Sequence, residues 1–160
     1  MTEPLRVVFD INVWVNGMVG PYSDFPYLPQ LPPTTDNSSA DCISLAFDAD
    51  RFAVYISPHI LRNLGRVLRE YGLSGPLIQR SLEDIVEVVH FSQGSVIDPD
   101  RVAVAQQDFE DNLILDLVLA SNSDVLVTAD RELLESNGWK GRAFLHPTAF
   151  VKLALGINTN

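Results

Sequence analysis

Sulfur and imidazole are scarce in this chain of 160 residues, which holds one cysteine and three histidines. A lone Cys42 cannot close an internal disulfide and has no second thiol for a zinc-finger type of site, which fits a reducing cytoplasm. Within Ala40-Asp41-Cys42-Ile43-Ser44-Leu45-Ala46 it reads as a small core-facing residue rather than a nucleophile. His59, His90 and His146 are scattered along the chain, each reading as a helix-surface or strand-end position, and no catalytic triad suggests itself. Long apolar runs are missing as well. Ile114 to Ala120 is broken by Asp116, far short of the roughly 20 residues that a membrane span needs. Met1-Thr2-Glu3-Pro4 enters a strand-like run without a basic segment leading an apolar one, so no secretory signal is expected.

Positive charge is the remaining deficit: 11 Lys and Arg stand against 21 Asp and Glu, a formal net charge of −10. That argues against a large, permanently exposed nucleic-acid surface, because phosphate binding is driven mainly by Lys and Arg. Nucleases are not excluded, since carboxylates gathered around divalent cations are partly neutralised. Arg62, Arg66 and Arg69 recur at helical spacing. They read as a solvated helix face before they read as a basic stripe.

The apolar residues that are present, 46% of the chain, suffice for one substantial core, so residues 1–160 are expected to form one domain. Leu5 to Phe9 reads as a buried strand running into Asp10 and Asn12, which favour strand ends and turns. From about 20 to 37 the chain carries a Pro-rich insertion with Tyr22, Phe25 and Tyr27 between the prolines, which rules out a regular helix or central strand there. Helix signals follow from Ser38 toward Asp50, from Pro58 to Gly72 behind an N-capping Ser57, and from Leu77 to Val89. A strand is expected at Phe52 to Ile56 and a short one at Ser95 to Ile97. Phe109 to Ala120 predicts a largely buried helix, Asp124 to Thr128 a strand, Arg131 to Glu135 a short helix, Ala143 to Leu145 a strand and Pro147 to Leu155 a last helix. Strands alternating with helices predict a central, mostly parallel sheet in a three-layer α/β/α architecture.

In such folds sites form at the carboxyl ends of the strands. Asp10 closes the first strand, and Asp130 follows the Asp124 to Thr128 strand by two residues. Asp111 joins them if its helix packs beside the same sheet edge. Acids brought together from distant parts of the chain repel one another unless a cation sits among them, and Mg²⁺ or Mn²⁺ suits oxygen ligands. Two such ions can activate a water for attack on a phosphodiester and stabilise the leaving oxygen, with no His or Cys required. A structural reading stands beside the chemical one: Asp10 as a turn cap, Asp111 as a first-turn acid favoured by the helix dipole, and Asp130 as the N-cap of the next helix.

Taken in order, Phe9-Asp10-Ile11-Asn12-Val13-Trp14-Val15-Asn16, Ile56 to Leu68, Phe109-Glu110-Asp111-Asn112 and Asp124 to Leu134 resemble the successive motifs of the PIN domain family. Within it they resemble the branch of VapC-related toxin components, over about Leu5 to Leu155. The resemblance implies a PIN-like fold and a divalent-metal-dependent endoribonuclease. Its implied metal ligands are Asp10, Asp111 and Asp130, for Mg²⁺ or Mn²⁺, supported by Asn12, Asn112, Thr128 and Glu132. RNA as substrate, a small antitoxin as partner and a homodimer are implied in the same way. One position departs from the pattern: Asn63 stands where the family's helix supplies a Glu. An amide offers a metal an oxygen but no charge. Either Asp116, Glu110 or Asp108 compensates, or the domain binds RNA or protein without cutting.

Overall fold

The computed structural model describes residues 3–20, 36–46 and 51–156. The Pro-rich segment at 21–35 lies outside the described residues, as do 47–50. In chain order the elements are β1 (Leu5–Phe9), α1 (Ile11–Val19), α2 (Ser38–Leu45), β2 (Phe52–Tyr55), α3 (Pro58–Glu70) and α4 (Gly75–Phe91). Then come α5 (Phe109–Ala120), β3 (Val125–Val127), α6 (Arg131–Glu135), a 3₁₀ turn at Trp139–Gly141, β4 (Ala143–Leu145) and α7 (Pro147–Ala154).

The strands lie in the order β2-β1-β3-β4, and every pairing is parallel. Parallel strands buried on both faces should be almost continuously apolar. Val7, Val8, Phe9, Val54, Val125, Leu126 and Val127 are all buried. With α2 packed on both α1 and α7, and α3 packed on α4, the sheet and its helices make the expected three-layer α/β/α fold. The chain leaves β1 toward β2 on one side and later places β3 on the other. The order therefore reverses at β1, and a crevice opens between the carboxyl ends of β1 and β3.

The predicted strands and most predicted helices fall within a residue or two of the observed ones, with instructive differences. α1 has no counterpart among the expected elements, because Ile11-Asn12-Val13-Trp14-Val15 alternates like a strand and is rich in β-branched residues, which lowers helix propensity. Packing overrides propensity there. Val13, Trp14 and Val15 are buried, Phe9 meets Trp14 edge-on at 5.5 Å, and Gly17 lets α2 approach so closely that a Cβ would lie 2.4 Å from Ile43 Cδ1. α4 starts earlier than expected, at Gly75, capped by the Ser74 hydroxyl and led by Pro76. The strand expected at Ser95 to Ile97 reduces to a single parallel bridge, Ile56 with Val96. It depends on Gly94, where a Cβ would fall 1.6 Å from the Val54 carbonyl oxygen.

Candidate active site

Parallel pairing of β1 with β3 brings Asp10 level with Thr128, each one residue past its strand. Asp10 is buried, and both its oxygens are held. Oδ1 accepts from the Ile11 amide at 2.8 Å, which caps α1, while Oδ2 accepts from the Thr128 hydroxyl at 2.8 Å and from Asn12 Nδ2 at 3.3 Å. Thr128 Oγ1 in turn accepts from the Asp130 amide at 2.9 Å, and Asn12 Oδ1 accepts from the Ala129 amide at 3.1 Å. Asp130 caps α6, its Oδ1 accepting from the Glu132 amide at 2.8 Å and the Leu133 amide at 3.3 Å. Asp130 Oδ2 has no hydrogen bond among the described residues.

The opposite wall comes from helices. A cleft of about 110 Å³ is lined by Asp10, Asp130 and Asn12 on one side, and by His59 and Asn63 of α3 and Glu110 and Asp111 of α5 on the other. Here the contacts join side chain to side chain. His59 Nε2 meets Glu110 Oε2, Asn63 Nδ2 donates to the same oxygen at 3.3 Å, and His59 Nε2 and Asn63 Nδ2 lie 3.0 Å apart. The Asp111 carboxylate makes no hydrogen bond among the described residues.

Electrostatics tie the two walls together. Burial pushes the Asp10 carboxyl above the ordinary carboxylate range; the Thr128 hydroxyl, the Ile11 amide and Asn12 work against that push, and the Asp130 charge adds to it. Asp111 is pushed up to about 6, first by desolvation and then by the charges of Asp130, Asp108, Asp10 and Glu132. Asp111 thus lies in the field of both Asp130 and Asp10, and Asp10 in that of Asp130.

The PIN domain family model matches residues 6–132, a stretch that contains every residue named in the cleft. The chain belongs to the PIN domain family. No curated protein matches the chain. PIN domains are generally metal-dependent nucleases, and this one places the three predicted acids, with Asn12 and Asn63, around one cleft at the sheet's switch point.

Other expected residues of this PIN domain serve elsewhere or at one remove. Asn112 faces away from the cleft and clamps the preceding loop, its Oδ1 accepting from the Gln106 amide at 2.9 Å and its Nδ2 donating to the Gln106 carbonyl at 2.8 Å. Asp116, one of three candidates for replacing the missing Glu, is buried and fastens the same loop a few residues earlier, accepting from the Val102 amide at 2.9 Å and the Ala103 amide at 2.6 Å. Asp108 caps α5 through the Glu110 amide. Glu132 is exposed and reaches the site only through its field at Asp111. Neither lysine lines the cleft: Lys140 stacks over the Trp139 ring, and Lys152 sits on α7. Arg66 pairs with Glu70 at 3.2 Å on an exposed helix face, as the solvated reading of the arginines holds. Cys42 is buried, and burial raises its thiol well above the ordinary value. The residue that sequence reasoning set aside is His59. Its contact with Glu110 joins positions 51 residues apart, and no periodicity announces it.

Among the described residues, no group of three or more His, Cys, Asp or Glu side chains stands as a ready-made metal cage. The donor chemistry still fits a hard divalent cation. The cleft is lined by the carboxylate residues Asp10, Asp111, Asp130 and Glu110 and the amide residues Asn12 and Asn63, with no Lys or Arg among the described residues of its lining.

Proposed function

We propose that residues 1–160 form a single PIN-type domain acting as a divalent-metal-dependent endoribonuclease, with Asp10, Asp111 and Asp130 as the ligands of Mg²⁺ or Mn²⁺. The observation that carries the reading is the convergence of these acids on one cleft, with Asp111 pushed to about 6 largely by burial and by its acidic neighbours. A bound divalent cation supplies Lewis-acid stabilisation of charge on a phosphodiester and brings water toward ionisation at neutral pH.

The chain's own residues supply placement. Thr128 and Asn12 lock the Asp10 carboxylate against the sheet edge, and the α6 cap turns Asp130 toward the same cleft. Asp111, unbonded, remains free to move onto a cation. The first turns of α1, α3 and α5 all contribute to the lining, so their backbone dipoles favour anionic groups there, the protein's carboxylates and an RNA phosphate alike. Purified protein supplied with Mn²⁺ is expected to bind the ion and cut RNA, and Asp10→Asn to do neither. A wild type that binds no Mn²⁺ and leaves RNA intact would end the nuclease reading.

A second reading has one observation in its favour: Asn63, an amide, lines the cleft where the family pattern places a Glu. Under it the domain binds RNA or a protein without cutting. An Asn63→Glu variant that gains both tight Mn²⁺ binding and nuclease activity over an inert wild type would establish it. A toxin role with a small antitoxin, a homodimer and a cytoplasmic location extend the first reading and rest on the VapC-like motifs and the lone, buried Cys42. No described helix is long and apolar enough to cross a membrane. Sedimentation of the purified chain tests the dimer directly.

A further inference from the structure

We propose that Glu110 supplies, from α5, the fourth carboxylate of the metal centre that α3 does not provide at Asn63, and that Asn63 and His59 hold it in place. The proposal rests on the metal-dependent reading of the cleft. Three acids had been open as replacements for the missing Glu, and the structure separates them. Asp116 turns its Oδ1 to the Val102 and Ala103 amides and Asp108 its Oδ1 to the α5 cap, and neither residue lines the cleft. Glu110 alone among them lines the cleft.

Its surroundings point the same way. Asn63 Nδ2 donates to Glu110 Oε2 at 3.3 Å, so the amide at the vacated position reaches toward the carboxylate on the neighbouring helix. His59, one turn earlier on α3, meets the same oxygen, a contact that is attractive when a proton lies on Nε2. Glu110 Oε1 makes no hydrogen bond among the described residues and is free to bind a cation. A fourth negative donor thus enters the cleft across the α3–α5 gap. A surface histidine–glutamate pair by itself contributes little to stability, so the arrangement is better explained by what it positions than by what it stabilises.

The experiment is calorimetric titration of the 160-residue chain with Mn²⁺ alone, without RNA, on wild type and a set of variants. Glu110 is exposed, with 60% of its side chain accessible, so Glu110→Gln leaves the core intact, and a thermal melt checks this. Glu110→Gln should weaken Mn²⁺ binding on the order of tenfold or more, since even the partners that orient a metal's ligands are worth roughly ten- to a hundredfold in affinity. The exchange variant N63E/E110Q, which returns the carboxylate to α3, should recover most of that affinity. His59→Ala should weaken binding a few-fold in the wild type and have no effect in the Glu110→Gln background. That dependence distinguishes a residue acting through Glu110 from one that merely supports the fold.

Glu132, an acid sensed by Asp111 whose side chain lies outside the lining, controls for charge alone. Equal losses in Glu132→Gln and Glu110→Gln would overturn the proposal, as would an exchange variant no tighter than Glu110→Gln. Wild-type affinity in Glu110→Gln combined with lost binding in Asp10→Asn would remove Glu110 while leaving the metal reading standing. A wild type that does not bind Mn²⁺ would remove both.

Discussion

The two walls of the cleft are built on different principles. On the strand side, Asp10, Thr128, Asn12 and Asp130 are tied to backbone amides of β-strand ends and helix caps, so the positions of the carboxylates follow from the parallel register itself. On the helix side, among the described residues, the side chains of His59, Asn63 and Glu110 are tied only to one another, and the Asp111 carboxylate makes no hydrogen bond. Backbone anchoring fixes atoms within the tolerance of the fold, whereas contacts among long side chains leave rotamers to choose from. On the proposed metal-dependent reading, the strand wall is a preorganised template and the helix wall is the part that would adjust to a cation or substrate.

If that division is right, removing a template acid has the largest consequence for function and a small one for stability. Asp10→Asn keeps the shape and relieves a buried carboxylate whose ionised form is disfavoured. Metal-dependent RNA cleavage is expected to fall on the order of a hundredfold or more, the loss of several kcal/mol of charge stabilisation. The denaturant midpoint should stay close to that of the wild type. A variant that lost its fold together with its activity would show that the template is part of the core and not only of the site.

Asp116→Ala inverts that pattern on the same helix as Asp111. It leaves the Val102 and Ala103 amides without their acceptor, which should cost about 2–4 kcal/mol of stability. Urea unfolding would read this as a lower midpoint at unchanged slope. Metal binding by the folded fraction should survive. Equal damage to stability and to Mn²⁺ affinity would place Asp116 in the site after all.

The contrast also explains what the sequence made legible. Asp10 and Asp130 were readable because strand ends carry signals: apolar runs, a following Asn or Thr, and the rule that parallel sheets gather sites at their carboxyl edge. The structural reading of Asp130 holds as well, since it caps α6, while Asp10, expected to cap a turn, caps the unforeseen helix α1. Capping and site formation are the same event here, because helices that follow strands begin at the edge where the cleft opens. α1 was hidden by a β-like alternation that packing overrides. The pairing of Glu110 with His59 and Asn63 was hidden for a different reason: it depends on two helices meeting across 47 to 51 residues of chain, which no local pattern encodes.

Thr128→Val tests the template more finely. The hydroxyl both donates to Asp10 and accepts the Asp130 amide, so its removal should cost about 1–2 kcal/mol. It also removes the leading influence that lowers the Asp10 pKa, which must then rise further above the ordinary range. Any cleavage that requires ionised Asp10 should therefore set in at higher pH in the variant than in the wild type. An unshifted pH profile with reduced stability would mean that Thr128 supports the strand end without tuning the acid.

The smallest effect belongs to the adjustable wall and concerns Asp111. Its pKa in the folded protein lies near 6, against about 3.8 for the unperturbed group. Between those values the folded state binds more protons than the unfolded one, so the metal-free protein should lose stability as pH rises through this window. The contribution is complete below about pH 4 and gone above about pH 6. Asp111 is only partly buried, and solvent screening reduces the amplitude well below what the shift alone implies. Asp111→Asn should flatten that slope. Saturating Mn²⁺ should flatten it too, because a cation favours the ionised carboxylate and reverses the repulsion from Asp130 and Asp10. If saturating Mn²⁺ bound the wild type and left its slope unchanged, the ion would be acting through the strand wall alone, and the division between template and adjustable ligand would need redrawing around Asp10 and Asp130.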